Sequence, residues 1–297
     1  MPGYIFLDNW VLSDYTKDNK RHLLSEFIRK NNYSILVDSL SFTELYNPQW
    51  QNSKENDRTA RVAEFLGQHS CVIVNPQNVW QSEFEAFPGR VKHLPVQLNL
   101  DDIPIPHRTP ALLMFLRRDE IFLQQGKDIA QWATGYESVK ASWPNDVNQI
   151  IEHACNTGVL TRNQNGKFTK LKYCKEKFLR TLDGRHLEQH FSSTERQSLQ
   201  ITMKDVEDGV TSELPSVRSS SLYFWYAYIE VDKAYPMKRK GSDIGDYYQM
   251  SLIPYCAAFT VDTTMYRLAR RVLAATNYKC EILNKELLDV QLESTCN

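Results

Sequence analysis

Four acidic residues that lie far apart in the sequence have the chemistry of a divalent-metal site: Asp8, Glu44, Asp246 and Asp262. Carboxylate oxygens are the ligands that Mg²⁺ and Mn²⁺ prefer. Carboxylates gathered in one place repel each other unless a cation neutralises them. A cation held in this way can polarise a phosphodiester and activate a water molecule. The four residues therefore predict a Mg²⁺ or Mn²⁺ centre for phosphodiester hydrolysis, provided that the fold brings them together.

Short apolar runs followed by an acid predict where two of these residues lie. Asp8 follows the run 4–7, and Asp262 follows the run 256–261. Each run is typical of a buried strand, and helical patterns separate it from the next strand. This alternation predicts an α/β fold with a parallel sheet of about five strands flanked by helices. Ligands of such sheets bind beyond the carboxyl ends of the strands, where the strand order reverses.

A long central stretch lacks the strand pattern. We interpret residues 1–80 and 216–297 as one α/β domain and residues 81–215 as a mostly helical insertion. The proline-rich stretch 94–110 reads as an extended connection, and 193–208 as one helix. Within the insertion, His186 and His190 have the spacing of a zinc pair, but the residue directly after the first histidine is not a glutamate. We therefore predict that they are surface residues.

Four stretches of the sequence resemble the PIN-domain nucleases. They are Tyr4-Ile5-Phe6-Leu7-Asp8-Asn9, Ser41-Phe42-Thr43-Glu44-Leu45, Ser242-Asp243-Ile244-Gly245-Asp246-Tyr247-Tyr248 and Phe259-Thr260-Val261-Asp262. In that family, acids in these positions bind divalent metal ions and cleave RNA or, in the flap-nuclease relatives, DNA. The resemblance implies the strand order 3-2-1-4-5. It leaves the third acid open between Asp243 and Asp246, with Asp246 favoured and both able to face the metal ions.

Each acid also has a simpler interpretation as a helix cap. Asp8 and Asp262 precede helices, and Asp is a preferred N-cap residue. Ser41 and Glu44 have the spacing of a capping box. Asp243 and Asp246 suit the positive end of a helix dipole. Their joint placement in the order of the elements favours the metal site over four independent caps.

Six further residues are candidates for substrate binding: Asn9, Thr260, Lys238, Arg239, Lys240 and Arg218. The basic run 238–240 lies just before the acidic helix and would suit a phosphate backbone. It is equally typical of a solvated loop. Asn9 would orient Asp8 or occupy a turn, and Thr260 would bind phosphate or be an ordinary strand residue. The aromatic residues of 223–228 favour core packing over base stacking, because they cover all faces of a helix.

The overall composition limits the function classes. The formal net charge is -1, so any surface that binds nucleic acid must be local. No uncharged stretch is long enough to span a bilayer, which predicts no membrane partner. The six cysteines are scattered without a CxxC pair, and no signal peptide is evident at the N-terminus. These features favour a cytoplasmic protein.

The sequence therefore predicts a divalent-metal-dependent endoribonuclease, by analogy of the toxin or defence-effector type. The helical insertion would then select substrate or bind a protein partner such as an antitoxin. A non-catalytic PIN-like module in a larger assembly is the alternative from another class. A structure-specific DNA endonuclease is the third. The sequence does not fix the oligomeric state, and a homo-oligomer stays open.

Overall fold

A six-stranded, mostly parallel sheet forms the centre of the fold, and a separate two-stranded hairpin lies in the helical segment. The computed structural model describes residues 3–41, 53–89, 91, 93–117, 123–231 and 240–295. In chain order the strands are β1 (Gly3–Phe6), β2 (Tyr33–Asp38), β3 (Cys71–Val74), β4 (Val96–Asn99), β5 (Thr161–Arg162), β6 (Phe168–Thr169), β7 (Cys256–Thr260) and β8 (Glu281–Leu283).

The strand order of the main sheet is β4-β3-β2-β1-β7-β8. Both the count and the order therefore differ from the predicted five strands in order 3-2-1-4-5. The difference is β4, which lies in the stretch interpreted as an extended connection and pairs antiparallel with β3. The other five strands are parallel and run β3-β2-β1-β7-β8. Their connections reverse direction between β1 and β7, which is where open α/β sheets bind ligands.

Thirteen α-helices are found in the described part of the chain. They are α1 (Asn9–Asp14), α2 (Asp18–Lys30), α3 (Ser53–Gly67), α4 (Pro76–Ala86), α5 (Ile105–Arg117), α6 (Leu123–Asn156), α7 (Leu171–His190), α8 (Ser193–Ser198), α9 (Met203–Asp208), α10 (Pro215–Phe224), α11 (Asp243–Gln249), α12 (Thr263–Ala274) and α13 (Lys285–Thr295). The single helix predicted for 193–208 is wrong. Thr202 and Asp205 form a capping box that starts α9 as a separate helix.

Side chains alternate between the two faces of the sheet, as the two-residue period of a strand requires. Ile5 and Leu7 point to one face, where they pack with α1, α2 and α13. Phe6 points to the other face and stacks on Phe259 of β7, with ring centroids 4.4 Å apart. Both faces are therefore covered, which explains why the central strands read as continuous apolar runs.

The helical segment packs directly on the face that carries Phe6. Trp143 of α6 and Phe178 of α7 belong to the same buried cluster as Phe6 and Leu36. The prediction of a surface position is wrong for His186, which is 2% exposed. Its ring stacks on Trp80 of α4 at 4.7 Å, because this face of α7 is turned toward the sheet.

Candidate functional site

Each of the five parallel strands ends at an aspartate or asparagine or is followed by one within two residues. Each of these side chains accepts a backbone N–H from one of the next three residues, as an N-cap does. From one side of the sheet to the other they are Asn75, Asp38, Asp8, Asp262 and Asn284. The cap interpretation of Asp8 and Asp262 is therefore confirmed. A capping carboxylate uses one of about four lone-pair positions, so capping does not exclude a metal ligand.

The strand ends at the reversal point are fastened together by Thr260. Its buried hydroxyl donates to the Phe6 carbonyl at 3.0 Å and accepts the Asp8 N–H at 2.8 Å. Thr260 thus bridges β7 and β1 instead of facing solvent. Asp8 lies two residues beyond the end of β1 and is half-buried. Asp262 lies two residues beyond Thr260 and is exposed. The two acids therefore flank the reversal point.

Asp38 at the end of β2 was missed by the sequence reasoning, although it follows an apolar run as Asp8 does. It is 0% exposed. Its Oδ1 accepts the Ser41 N–H at 2.9 Å, and its Oδ2 accepts the Ser41 hydroxyl at 2.9 Å and the Gln249 amide at 3.2 Å. Gln249 belongs to α11. The buried Asp38 carboxylate therefore holds α11 against the carboxyl edge of the sheet.

The two candidates on α11 have different surroundings. Asp243 is 4% exposed, and its carboxylate accepts the Lys240 N–H at 3.0 Å and the Tyr228 hydroxyl at 3.3 Å. Burial raises the pKa of Asp243, although both hydrogen bonds and the Lys240 charge lower it. Asp246 is half-buried and lies one turn before Gln249, on the same helix face. These surroundings favour Asp246 over Asp243 as the acid that reaches the edge of the sheet.

The remaining candidates are placed as follows. Glu44, Lys238 and Arg239 lie outside the described residues. Asn9 begins α1, and its N–H donates to the Asp8 carboxylate at 2.6 Å, so its backbone orients that carboxylate. Lys240 is exposed beside α11. Arg218 of α10 is bound to the Glu176 carboxylate at 2.8 and 2.9 Å, which commits its guanidinium to an ion pair with α7.

The described acids supply part of the ligand set of a divalent metal ion. Among the described ranges, no three histidine, cysteine, aspartate or glutamate side chains form a group that could hold one. Mg²⁺, however, commonly binds through one or two carboxylates and otherwise keeps its waters or takes substrate phosphate oxygens. Asp8 and Asp262 supply that chemistry at the reversal point. The described acids are thus of the chemical kind that binds a Mg²⁺ or Mn²⁺ ion together with water.

The aromatic residues of 223–228 pack in the core, as predicted. All five aromatic side chains between Tyr223 and Tyr228 are 8% exposed or less. The helix changes to a π-helix over Trp225–Ile229. Burial first, and then the charge of Asp246, raise the pKa of Tyr223 well above its ordinary value. Tyr223 therefore stays protonated, and its ring packs against Tyr247 of α11, with ring centroids 6.3 Å apart.

Comparison with known proteins identifies no relative. No protein-family model matches the chain, and no curated protein or solved structure shows significant similarity to it.

Within the described ranges, no helix is both long and apolar enough to cross a lipid bilayer.

Proposed function

We propose that the protein is a divalent-metal-dependent nuclease that hydrolyses RNA at the carboxyl edge of its sheet. The observation that carries this proposal is that Asp8 and Asp262 flank the reversal point, where Thr260, two residues before Asp262, hydrogen-bonds the Asp8 N–H and the Phe6 carbonyl. Asp246 on α11 is the third acid, and Glu44 is the fourth member of the proposed set. The resemblance to PIN-domain nucleases supports the same assignment.

The residues of the chain have separate roles in this proposal. Asp8, Asp246 and Asp262 would hold Mg²⁺ or Mn²⁺, which would polarise a phosphodiester and lower the pKa of a bound water molecule. The Asn9 N–H fixes the orientation of the Asp8 carboxylate. The Asp38–Gln249 hydrogen bond holds the helix that carries Asp246. Positioning of this kind before substrate arrives is a large part of what enzymes supply.

The cellular setting and the partners belong to the same proposal. The five described cysteines are free thiols, which fits the reducing cytoplasm. The helical segment would offer its outer surface to a protein partner, such as an antitoxin if the nuclease is a toxin. A homo-oligomer is compatible with the proposed nuclease, with or without such a protein partner.

A non-catalytic nucleic-acid-binding or protein-binding module is the second candidate. The observation that favours it is that the described residues assemble no group of three metal ligands. In that case the strand-end acids would serve only as helix caps. The two candidates make opposite predictions about metal-dependent cleavage.

The deciding experiment incubates the protein with total RNA, and separately with linear and branched DNA, in Mn²⁺ or in EDTA. We expect RNA cleavage in Mn²⁺ that EDTA abolishes. Asp262→Asn should lose at least about 100-fold of this activity, since even supporting groups around a metal site contribute 10- to 100-fold. Asparagine is also a good N-cap, so α12 should be retained.

Asp205→Asn is the matched control, because Asp205 is a half-buried capping acid on α9, in the capping box that starts this helix. It should leave cleavage unchanged. Absence of metal-dependent cleavage of any substrate, or equal activity of the wild type and Asp262→Asn, would leave the binding module as the better account. Cleavage restricted to branched DNA would replace RNA by DNA as the substrate.

A further inference from the structure

The solvent side of α12 carries a stripe of residues suited to nucleic acid. Thr263, Tyr266, Arg267 and Arg270 recur with the spacing i, i+3, i+4 and i+7, which places them on one face of a helix. The opposite face packs Met265, Leu268, Ala269 and Val272 into the core. Thr263, Arg267 and Arg270 are exposed, and Tyr266 is half-buried. We call these four residues the α12 stripe.

The charge of α12 is unbalanced along its own length. Its sequence Thr263–Ala274 contains three arginines and no acid. Arg271 is paired with Glu230 at 2.8 Å. Arg270, in contrast, has no carboxylate within 4.0 Å in the described part of the chain, and its guanidinium lies 5.7 Å from the Tyr266 ring centroid. Arg270 therefore presents positive charge to solvent, and the exposed Arg267 lies on the same helix face, in a protein whose net charge is -1.

Helix α2 shows that this arrangement is not general for the basic residues of the protein. It also exposes several cations, but acids lie beside them. Arg21 meets Glu64 at 3.0 Å, Lys20 meets Asp289 at 3.2 Å, and Lys30 lies 3.5 Å from Glu26. Arg29 shares Glu26 at 3.6 Å. Each of these α2 cations thus lies beside an acid, with Arg29 and Lys30 sharing Glu26, whereas the exposed side of α12 is formed by a helix that contributes no acid.

The position of the stripe connects it to the proposed site. Helix α12 begins directly after Asp262, and its first residue is Thr263. With a rise of about 1.5 Å per residue, the stripe extends about 10 Å away from the strand ends. Its chemistry matches a polynucleotide, because a hydroxyl and guanidinium groups bind phosphate and an aromatic ring stacks on a base.

We infer that the α12 stripe binds single-stranded RNA on one side of the cleavage point. Arg267 and Arg270 contact the phosphate backbone, and Tyr266 contacts a base. A single strand is the matching partner, because only unpaired bases are available to an aromatic side chain. The placement of the RNA relative to a cleavage point rests on the proposed function, which puts that point at Asp262.

The test measures binding of a fluorescein-labelled single-stranded RNA by anisotropy over a series of salt concentrations, in EDTA so that no cleavage occurs. The double variant Arg267→Ala/Arg270→Ala should bind on the order of tenfold more weakly. The slope of log K against log salt should become shallower by about 1.4, since each lost phosphate contact reduces its magnitude by about 0.7. Tyr266→Leu should weaken binding at least about fivefold without changing that slope.

The matched control is Arg29→Ala/Lys30→Ala on α2, which removes the same charge from two exposed cations that lie beside Glu26. It should bind RNA like the wild type. Alanine favours helix at both places, so neither double variant is expected to unfold its helix. Equal weakening by both double variants, or unchanged binding by the α12 variant, would overturn the inference. Binding of poly-glutamate through the stripe without binding of RNA would also overturn it, in favour of an acidic protein partner.

Cleavage in Mn²⁺ is measured separately, so the two proposals fail in different ways. RNA binding that depends on the stripe, without any cleavage, supports the stripe and overturns the nuclease. Cleavage that depends on Asp262, with RNA binding that ignores the stripe, supports the nuclease and overturns the stripe.

Discussion

Two groups of acids both accept hydrogen bonds from backbone or hydroxyl donors, but their environments differ. One group, which includes Asp262, lies at the carboxyl edge of the sheet, and the other lies on helices α4 and α7. Glu83 of α4 is 3% exposed and accepts the N–H groups of Ser216 at 2.9 Å and of Val217 at 3.5 Å, together with the Tyr255 hydroxyl. Asp183 of α7 is 1% exposed and accepts the hydroxyls of Thr211 and Ser221. Asp262, in contrast, is exposed.

The difference separates two uses of a carboxylate. Leu214, the residue before α10, has no side chain that can cap that helix, so Glu83 supplies the cap from another element. Burial raises the pKa of Glu83 and of Asp183, while their hydrogen bonds lower it. Such acids hold the fold together. An acid that remains exposed at an open strand edge, as Asp262 does, retains the access that a ligand needs.

The largest effect on stability is expected from Glu83→Ala. The change leaves two buried N–H groups at the start of α10 and the Tyr255 hydroxyl without their acceptor, which should cost about 3 kcal/mol. Urea unfolding measures the loss. Glu195→Ala is the control, because Glu195 belongs to an exposed capping box and should cost only about 1 kcal/mol. Equal losses would break the distinction between the buried and the exposed acids.

A smaller effect is expected from Gln249→Glu, which tests whether Asp38 is a buried structural acid at the open edge. The new carboxylate would face the Asp38 carboxylate without a donor, at a cost of about 2 kcal/mol. Adding Asp38→Asn should recover most of the stability and of the cleavage, because the new amide can donate to the new carboxylate. If the second change brings no recovery in a double-mutant cycle, Asp38 and Gln249 do not act as a pair.

The smallest effect is the dependence of stability on pH. The folded pKa of Glu83 is raised above its ordinary value of 4.5 by burial, so the folded state binds more protons than the unfolded state in this window. The unfolding free energy should therefore fall as the pH rises from 4.5 to the raised pKa. The difference in unfolding free energy between the wild type and Glu83→Gln, measured at each pH, isolates this contribution. A difference that stays constant over pH 4.5 to 7 would contradict the raised pKa.

The sequence predicted the parts of the fold that depend on local pattern. The buried strands at Tyr4–Leu7 and Cys71–Val74 were visible because both sheet faces are covered, which makes the strands apolar throughout. Strand β4 was missed because Val96 and Leu98 are its only apolar residues, and its pairing is supplied by β3. The same pattern that indicated Asp8 would have indicated Asp38.

Other features depended on contacts that no local pattern carries. The hydrogen bond between Gln249 and Asp38 joins residues 211 positions apart. The buried position of His186 depends on Trp80 of a different helix, while the neighbours Arg185 and Glu188 suggest a solvated face. In the sequence, Asp243 and Asp246 share one helix face, so both could face a metal ion. Burial of Asp243 against Tyr228 distinguishes them in the structure.

Direct measurement of Mn²⁺ binding tests the central claim, which is that the strand-end acids form a metal site. Isothermal titration of the wild type should show Mn²⁺ binding. Asp8→Asn and Asp262→Asn should each weaken it at least about tenfold, although asparagine retains both caps. Asp205→Asn should bind like the wild type. Mn²⁺ binding that is the same in all four proteins, or absent from the wild type, would contradict the account and leave the strand-end acids as helix caps alone.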